Sequence, residues 1–510
     1  MVVPRNMTKA FTSNKYLLSY LCASGLVVFS FLLFGCSLDR YPELYVDEPD
    51  FNYPAAQYVD RGSLAWRIDS NMPYGDEVNA WHAPFYFRLQ VLTFKILGTT
   101  LYACRVPQYL AIHIALLALC IFLIRRGFWK SALLLPIVWI GDRAYQETLY
   151  GRMEGLTALC VVGAFLCGLI AIEKEQVRWY AGYTCFLGLA GGFHPGSIYI
   201  ALPSLGIMLI LRQRIAWHRL LFGLAAGAVV PGCLWLFCWM PHLPESIEQF
   251  LWNLRSVTDA NTSRNHFTMF PVLRWSRWWV IALMVTTVWW LIPRSVVLLR
   301  IMRRMPNTVS FQNVMIVFAT SFGCGFLLLW WRVNFIRPYY LVSFTIWPVI
   351  AILVTLESGK LTGLWKCTLT FVLVLLLAGW LPSLMWNGMR FREMVLMYRQ
   401  LDQKPFAQQL ATLTPKGVKI SGTPELFLVA RAAQRGFIPL MTYGSNLTPP
   451  QDHWLFLLNK DCQPGRLSPE ALNQRPVVYE GFAFPEAQRA GSRMPFRVYG
   501  PENIKGRVDH

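Results

Sequence analysis

The sequence predicts an all-α polytopic membrane protein of about eleven transmembrane helices, followed by a small α/β domain outside the bilayer. Three observations predict it. Of 510 residues, 55% are hydrophobic and only 15% are charged, where a soluble domain is about a quarter charged. Uncharged runs such as Tyr16 to Cys36 and Val106 to Ile124 approach or exceed the roughly 20 residues that a helix needs to cross the hydrocarbon core. The polar residues collect instead in a few loops and in a tail of mixed helix and strand patterns.

Spans are predicted near 16–36, 104–124, 131–149, 154–172, 179–193, 196–212, 217–240, 277–298, 311–331, 338–357 and 365–386. Alternate loops between them are basic. They carry Arg5, Lys9 and Lys15; Arg125, Arg126 and Lys130; Arg212, Arg214 and Arg219; Arg294, Arg300, Arg303 and Arg304; Lys360 and Lys366. Basic short loops stay in the cytoplasm. The N-terminus is therefore expected inside and the C-terminus outside, in a plasma (inner) membrane. The formal net charge of +19 is read as this topology signal and not as a nucleic-acid surface, because no zinc-finger spacing, P-loop or basic stripe with interleaved aromatics accompanies it.

Most of the 12 cysteines lie inside apolar runs, where they act as small hydrophobes. Cys36, Cys104 and Cys462 are the ones that could face an oxidising compartment. The first run ends LFGC, as a lipoprotein signal does, but bulky Phe34 stands where a small residue is expected. An uncleaved first span is the expectation.

Three extracytoplasmic regions follow: 37–103, 241–276 and 387–510. The tail starts with a helical pattern over Phe391 to Leu413. A strand signal VKISG, a helical PELFLVARAAQRG and strand-like FIPLM, HWLFLLN, VVYEGFAF and PFRVYG come after it. This alternation predicts the α/β domain. It contains no glycine-rich phosphate motif, and acceptor docking and a lid both remain open for it.

The chemistry points to one side of the membrane. Asp47 and Glu48 follow the first span, in VDEPDFNYPAAQYVDRGSLAW. Carboxylates near hydrocarbon are desolvated, which favours roles as a base or a metal ligand; a solvated acidic loop is the plainer alternative. His82 opens the short, charge-interrupted apolar segment 81–98, which suits an interfacial or half-inserted helix better than a span. Arg105 opens the second span. Asp142, Arg143, Glu147, Arg152 and Glu154 cluster before the fourth, and ionisable groups at membrane depth are functional candidates. His194 in GGFHPGS lies at the outer end of two short spans. Arg332, Arg337, Tyr339 and Tyr340 lie at the outer surface late in the chain, where guanidinium groups suit a phosphate or pyrophosphate by bidentate hydrogen bonds. Anchoring to anionic membrane lipids is the alternative for these arginines. The 241–276 loop, with His242, Glu245, Glu248, Arg264, His266, Arg274 and Arg277, carries a weak signal for a cap or a metal ligand.

The order of these features resembles the polytopic glycosyltransferases with the GT-C fold that use polyprenyl-phosphate sugars, and most closely the protein O-mannosyltransferase and lipid A aminoarabinose transferase superfamily. Its acidic pair after the first span is matched by Asp47 and Glu48, with Ala56 and Gly62 following, Tyr53 one position late and Trp66 displaced. Its proline-rich helix start is matched by HAPF, residues 82–85. The arginine opening the second span is Arg105, the Arg-x-acid is Arg152 with Glu154, and the late arginine and tyrosine are Arg337 with Tyr339 or Tyr340. The resemblance covers most of residues 1–390. It departs from the pattern in Ala83 for the first proline, in Glu154 for an Asp, and in the spacing after Glu48.

The resemblance implies a transmembrane glycosyltransferase domain over 1–386 with its catalytic loop at 37–103. It implies a hexosyl- or pentosyltransferase that takes a polyprenyl-phosphate-linked sugar to an acceptor hydroxyl. Asp47 would be the base, with Glu48 orienting it or binding a metal. His82 would line the site, and Arg105, Arg152, Glu154, Arg337 and Tyr340 would serve substrate binding. A divalent metal ion is compatible with this chemistry and not demanded by it. The rivals are a transporter or flippase, which calls for charges and broken helices midway across the spans, and a polysaccharide polymerase or ligase acting on lipid-linked sugars.

Overall fold

The computed structural model describes residues 14–40, 47–65, 73–75, 77–79, 84–142, 144–145, 148–210, 217–261, 277–304, 310–332, 338–359, 364–397, 403–423, 426–439, 451–458, 472, 474–482 and 495–501. Its helical part runs α1 (Asn14–Gly35), α2 (Asp47–Arg61), α3 (Pro84–Leu97), α4 (Leu101–Arg125), α5 (Trp129–Gly141), α6 (Glu154–Lys174), α7 (Val177–Phe193), α8 (Ile198–Ile210), α9 (Trp217–Trp239), α10 (Leu243–Asn261), α11 (Arg277–Thr286), α12 (Ile292–Arg304), α13 (Phe311–Arg332), α14 (Ile346–Ser358) and α15 (Leu364–Met397). A π-helical turn, Thr287–Leu291, joins α11 to α12.

Most predicted spans fall on one of these helices each; the one at 277–298 covers α11, the π-helical turn and α12, and the one at 338–357 begins on a 3-10 segment before α14. Among the described residues, eight helices are long and apolar enough to cross a membrane, and the chain is a multi-pass membrane protein. The spans predicted at 131–149 and 196–212 are shorter than expected, α5 and α8 having 13 residues each, while α7, with 17, ends at Phe193 where its span was expected to end. At about 1.5 Å per residue, a 13-residue helix covers about 20 Å of the roughly 30 Å hydrocarbon core. Local chemistry stops them. Asp142 leaves the α5 helix with extended backbone (ψ 134°), and its carboxylate accepts the Ala144 N–H at 2.9 Å. His194 is extended after α7, as the clash with the following Pro195 requires.

Burial separates the centre of the bundle from its rim. The apolar windows of α6 and α13 are 78% and 72% buried, whereas those of α1 and α15 are 28% and 22% buried. Phe165 of α6 sits at the centre, its ring 4.7 Å from Trp347 of α14, with Phe318 and Phe322 of α13 at 5.6 and 5.4 Å. Helices α7 and α9 pack through small residues, because apolar side chains alone give no drive to associate in lipid. A Cβ on Gly227 would lie 2.1 Å from the Ala181 carbonyl oxygen, and one on Gly188 would lie 2.5 Å from Pro231.

The short helix predicted over 81–98 is α3. The segment 241–276, expected as a loop, contains α10 as far as Asn261. One face of that helix buries Gln249, whose amide donates to the carbonyls of Pro73 and Val78, both at 2.8 Å. It thereby holds the first long loop against the bundle. Residues 262–276 lie outside the described set.

The tail holds α16 (Gln403–Leu413), β1 (Lys419–Gly422), α17 (Phe427–Ala432), β2 (Gly436–Pro439), β3 (Trp454–Leu458), β4 (Val477–Phe482) and β5 (Pro495–Tyr499). These match the predicted strands. Over the predicted helix at 391–413, α15 continues without a break to Met397, so the expected boundary at 386 falls inside it, and α16 covers 403–413; residues 398–402 lie outside the described set. The sheet order is β2-β1-β3-β5-β4. Strands β2, β1 and β3 are parallel, and β5 and β4 are antiparallel additions. Phe406, Leu410, Val429, Phe456, Phe496 and Val498 form its core.

Gly227→Ala is expected to cost about 1–3 kcal/mol and to lower the thermal midpoint of the protein in detergent. Gly232→Ala, which meets nothing within 4 Å, is expected to leave the midpoint within about a degree.

Candidate functional site

The site is built where α2, α3, α4 and the start of α6 meet. The acidic sequence DEPD opens α2, and acids there face the positive end of the helix dipole. Pro49 is tolerated because first-turn N–H groups have no intrahelical partner. Phe51 and Asn52 then fall on the Glu48 side of the helix, three and four residues on.

Glu48 is buried at 1% exposure and Arg105, at the start of α4, at 0%. Arg105 donates from Nε and Nη2 to the two Glu48 oxygens, both at 2.7 Å. Its Nη1 donates to the Leu38 carbonyl at 3.2 Å. The Gly151 N–H also donates to Glu48 Oε1, at 2.6 Å. Asn52 completes the clamp, its amide donating to the Glu48 and Gly151 carbonyls at 2.7 Å each, and Tyr86 of α3 donates to Asn52 Oδ1 at 3.2 Å. Burial holds the Tyr86 phenol well above its usual pKa, so it remains a donor. A Cβ at Gly151 would lie 2.9 Å from the Asn52 amide and 3.0 Å from Cys104, so the backbone reaches Glu48 only as glycine.

The clamp sets the next residue. Arg152 donates its backbone N–H to Gln108 Oε1 at 3.0 Å. Its guanidinium donates to Glu154 at 2.9 Å and lies 4.5 Å from the centre of the Phe51 ring. Glu154 is the first residue of α6. His194, between α7 and the turn Pro195–Ser197, accepts the Gly196 N–H on Nδ1 at 2.9 Å. Burial holds this imidazole below its usual pKa, with Glu154 opposing and Arg152 reinforcing the shift. It is thus a neutral ring with Nε2–H as its donor.

The structure brings together Glu48, Arg105, Arg152 and Glu154 of the predicted site. Arg105 is fully buried, and its bonds to Glu48 and to the Leu38 carbonyl tie α4 to the helix of the acidic pair. The backbone of Asp47 opens α2, but its side chain lies outside the described residues, as do His82 and Arg337. Tyr340 lies on the 3-10 segment Pro338–Ser343, which packs on α6, and its side chain is likewise outside them. Arg143 and Glu147 are outside the described set as well. Asp142 is buried with its carbonyl accepting from Asn387 of α15 at 3.0 Å. Asn52, Tyr86, Gln108 and Gly151 were not singled out from the sequence. Only the proximity of Gly151 to Arg152 in GRMEG hinted at them. The cysteines described, Cys36 and Cys104 among them, are free thiols, and Cys462 lies outside the set.

Among the described residues, no three His, Cys, Asp or Glu side chains converge as a metal site. Glu48 and Glu154 each bond a guanidinium group, of Arg105 and Arg152.

No protein-family model matches the sequence, and no curated protein matches it. The fold is similar to solved structures. Against ArnT from Cupriavidus metallidurans in the apo state, the TM-score is 0.54 at 13% identity, over 95% of this chain and 98% of that one. Against the same protein bound to undecaprenyl phosphate, it is 0.53 at 14% identity, over 93% and 97%. The chain has the GT-C fold. The GT-C likeness extends through the tail, since nearly the whole of each chain is covered. It agrees with the fold that the order of motifs implied. A weaker likeness, TM-score 0.49 at 12% identity, is to the oligosaccharyltransferase from Archaeoglobus fulgidus, over 88% of this chain and 70% of that one.

Breaking a buried ion pair from one side costs about 3–5 kcal/mol, and replacing both partners with apolar residues costs less. Glu48→Ala or Arg105→Ala alone is therefore expected to prevent accumulation of folded protein in the membrane. The double variant Glu48→Leu/Arg105→Met is expected to accumulate better than either single one, as read by fluorescence-detected gel filtration.

Proposed function

We propose that this protein transfers a sugar from a polyprenyl-phosphate donor to an acceptor hydroxyl at the extracytoplasmic surface of the plasma membrane. One observation carries the reading. Arg152 is held by Glu154, Gln108 and the Gly151 clamp beside the helix that begins with Asp47. The likeness to ArnT, which has been solved with undecaprenyl phosphate, supports a donor whose lipid stays in the bilayer.

Asp47 takes the proton of the acceptor hydroxyl as its oxygen attacks the anomeric carbon. The bond from that carbon to the phosphate oxygen breaks, and the polyprenyl phosphate departs with the electron pair. The configuration inverts in this single displacement. Arg152, with Arg337 and Tyr340 from the late segment, balances the phosphate charge. Glu48 keeps α2 in place through Arg105. His82 lines the sugar side. No step is routed through a metal ion. A transporter calls for charges midway across the bundle, whereas the two Arg–Glu pairs here lie at the ends of α4 and α6 that face the first long loop. The basic loops read from the sequence support an N-terminus in the cytoplasm.

Purified protein supplied with labelled polyprenyl-phosphate sugars and hydroxyl acceptors is expected to show transfer. Asp47→Asn is expected to lower kcat by about 10²–10⁴-fold with donor binding retained. Transfer by Asp47→Asn at the wild-type rate would falsify the assignment.

A further inference from the structure

The helix of the acidic pair has a weak point. Pro54 lies inside α2. It has no N–H to return to the carbonyl of residue 50, and its ring crowds that turn. α2 stays helical through Pro54, but its hydrogen-bond ladder is broken there, and the clamp on Glu48 and Asn52 holds only the part before this break.

The C-terminal unit grips α2 on both sides of it. Before the break, the ring of Tyr53 meets that of Phe427 on α17 edge-on at 5.9 Å, and its hydroxyl donates to the Phe437 carbonyl at 3.4 Å. Beyond it, Arg431 donates from both terminal nitrogens to the Asp60 carboxylate, from Nη2 at 2.6 Å. Helix α17 is buried on two sides. Phe427 and Leu428 join the cluster of Phe51, Tyr53 and Ala56, while Leu426 and Val429 join the core of the sheet. A lid that opens would expose Tyr53, Phe427 and Leu428, which are 3%, 4% and 5% exposed. The packing is that of a fixed joint.

We propose that α17 splints the Pro54 break, and that Arg431, more than three hundred residues from the acidic pair in sequence, is a positioning residue for the transfer reaction. Through Asp60 it holds the part of α2 beyond Pro54, so that the helix carrying Asp47 is fixed at both ends. The proposal rests on the transfer reaction above for its effect on rate, and on the contacts alone for its effect on α2.

Arg431→Ala and Asp60→Ala are tested in the intact protein, alone and in combination with Pro54→Ala, which restores the missing N–H to α2. Amide hydrogen exchange over residues 47–61 is expected to speed up in either single variant. Exchange over β3 should stay at the wild-type rate, showing that the C-terminal unit remains folded. With a polyprenyl-phosphate sugar as donor, kcat is expected to fall on the order of ten- to a hundredfold, as misplacement of a reacting group does, while KM for the donor holds. In the Pro54→Ala background, Arg431→Ala is expected to lose much less, since a continuous α2 needs no splint. Wild-type exchange along α2 in both single variants overturns the proposal. So does faster exchange spread equally over β3, or an equal kcat loss with and without Pro54. If the wild-type protein transfers no sugar, the exchange arms still decide the splint, and only the transfer reading fails.

Discussion

The pair between Glu48 and Arg105 is the constraint on which the site is built. Both groups are out of water, and neither tolerates burial without the other. Their two parallel hydrogen bonds fix α2 against α4 with little freedom in angle. The remaining acceptor capacity of Glu48 then draws in the Gly151 N–H. Three segments far apart in sequence are tied to one carboxylate. Arg152 inherits its position from that knot, because it is the next residue after Gly151. A carboxylate that resembles a catalytic group in the sequence is, in the fold, what holds the neighbouring groups still.

The apolar bundle supplies the opposite condition. Its central helices, α6, α13 and α14, are held by close aromatic packing, and α7 and α9 by glycines in contact with backbone. Both kinds of contact require no polar partner, and so suit lipid. The long ion-paired side chains are excluded from this interior. Arg126–Glu173 sits at one end of α4 and α6, and Glu48–Arg105 and Arg152–Glu154 sit at the opposite ends, where the same two helices reach the first long loop. The tail is joined to the same place by α17, so the bundle, the loop and the sheet share one cluster of buried residues around Tyr53, Phe51 and Phe427.

Much of the fold was legible in the sequence for a simple reason. Hydropathy over about 20 residues is a local property, and so is the alternation that marks strands such as Trp454–Leu458. The shortness of α5 was less legible. Its end is set by a single residue, Asp142, whose effect is smaller than the window over which hydropathy is averaged. The unbroken run of α15 past residue 386 was missed because the sequence turns polar there while the backbone stays helical. Of the site, the residue types and their order were readable, and the partners were not. Glu48 and Arg105 are 57 residues apart, and Glu48 and Gly151 are 103 apart, distances over which no periodicity operates.

By itself, the sequence determined that this chain crosses a membrane many times and that a sheet follows the spans. Each of these depends on the free energy of placing one stretch of chain in lipid or water. Only the tertiary structure decided which charges neutralise each other. It paired Arg105 with Glu48, placed Arg152 beside the acidic helix, and set α17 against α2 on both sides of Pro54. Those outcomes depend on which buried groups meet, since a charge out of water must find its partner wherever the fold brings one.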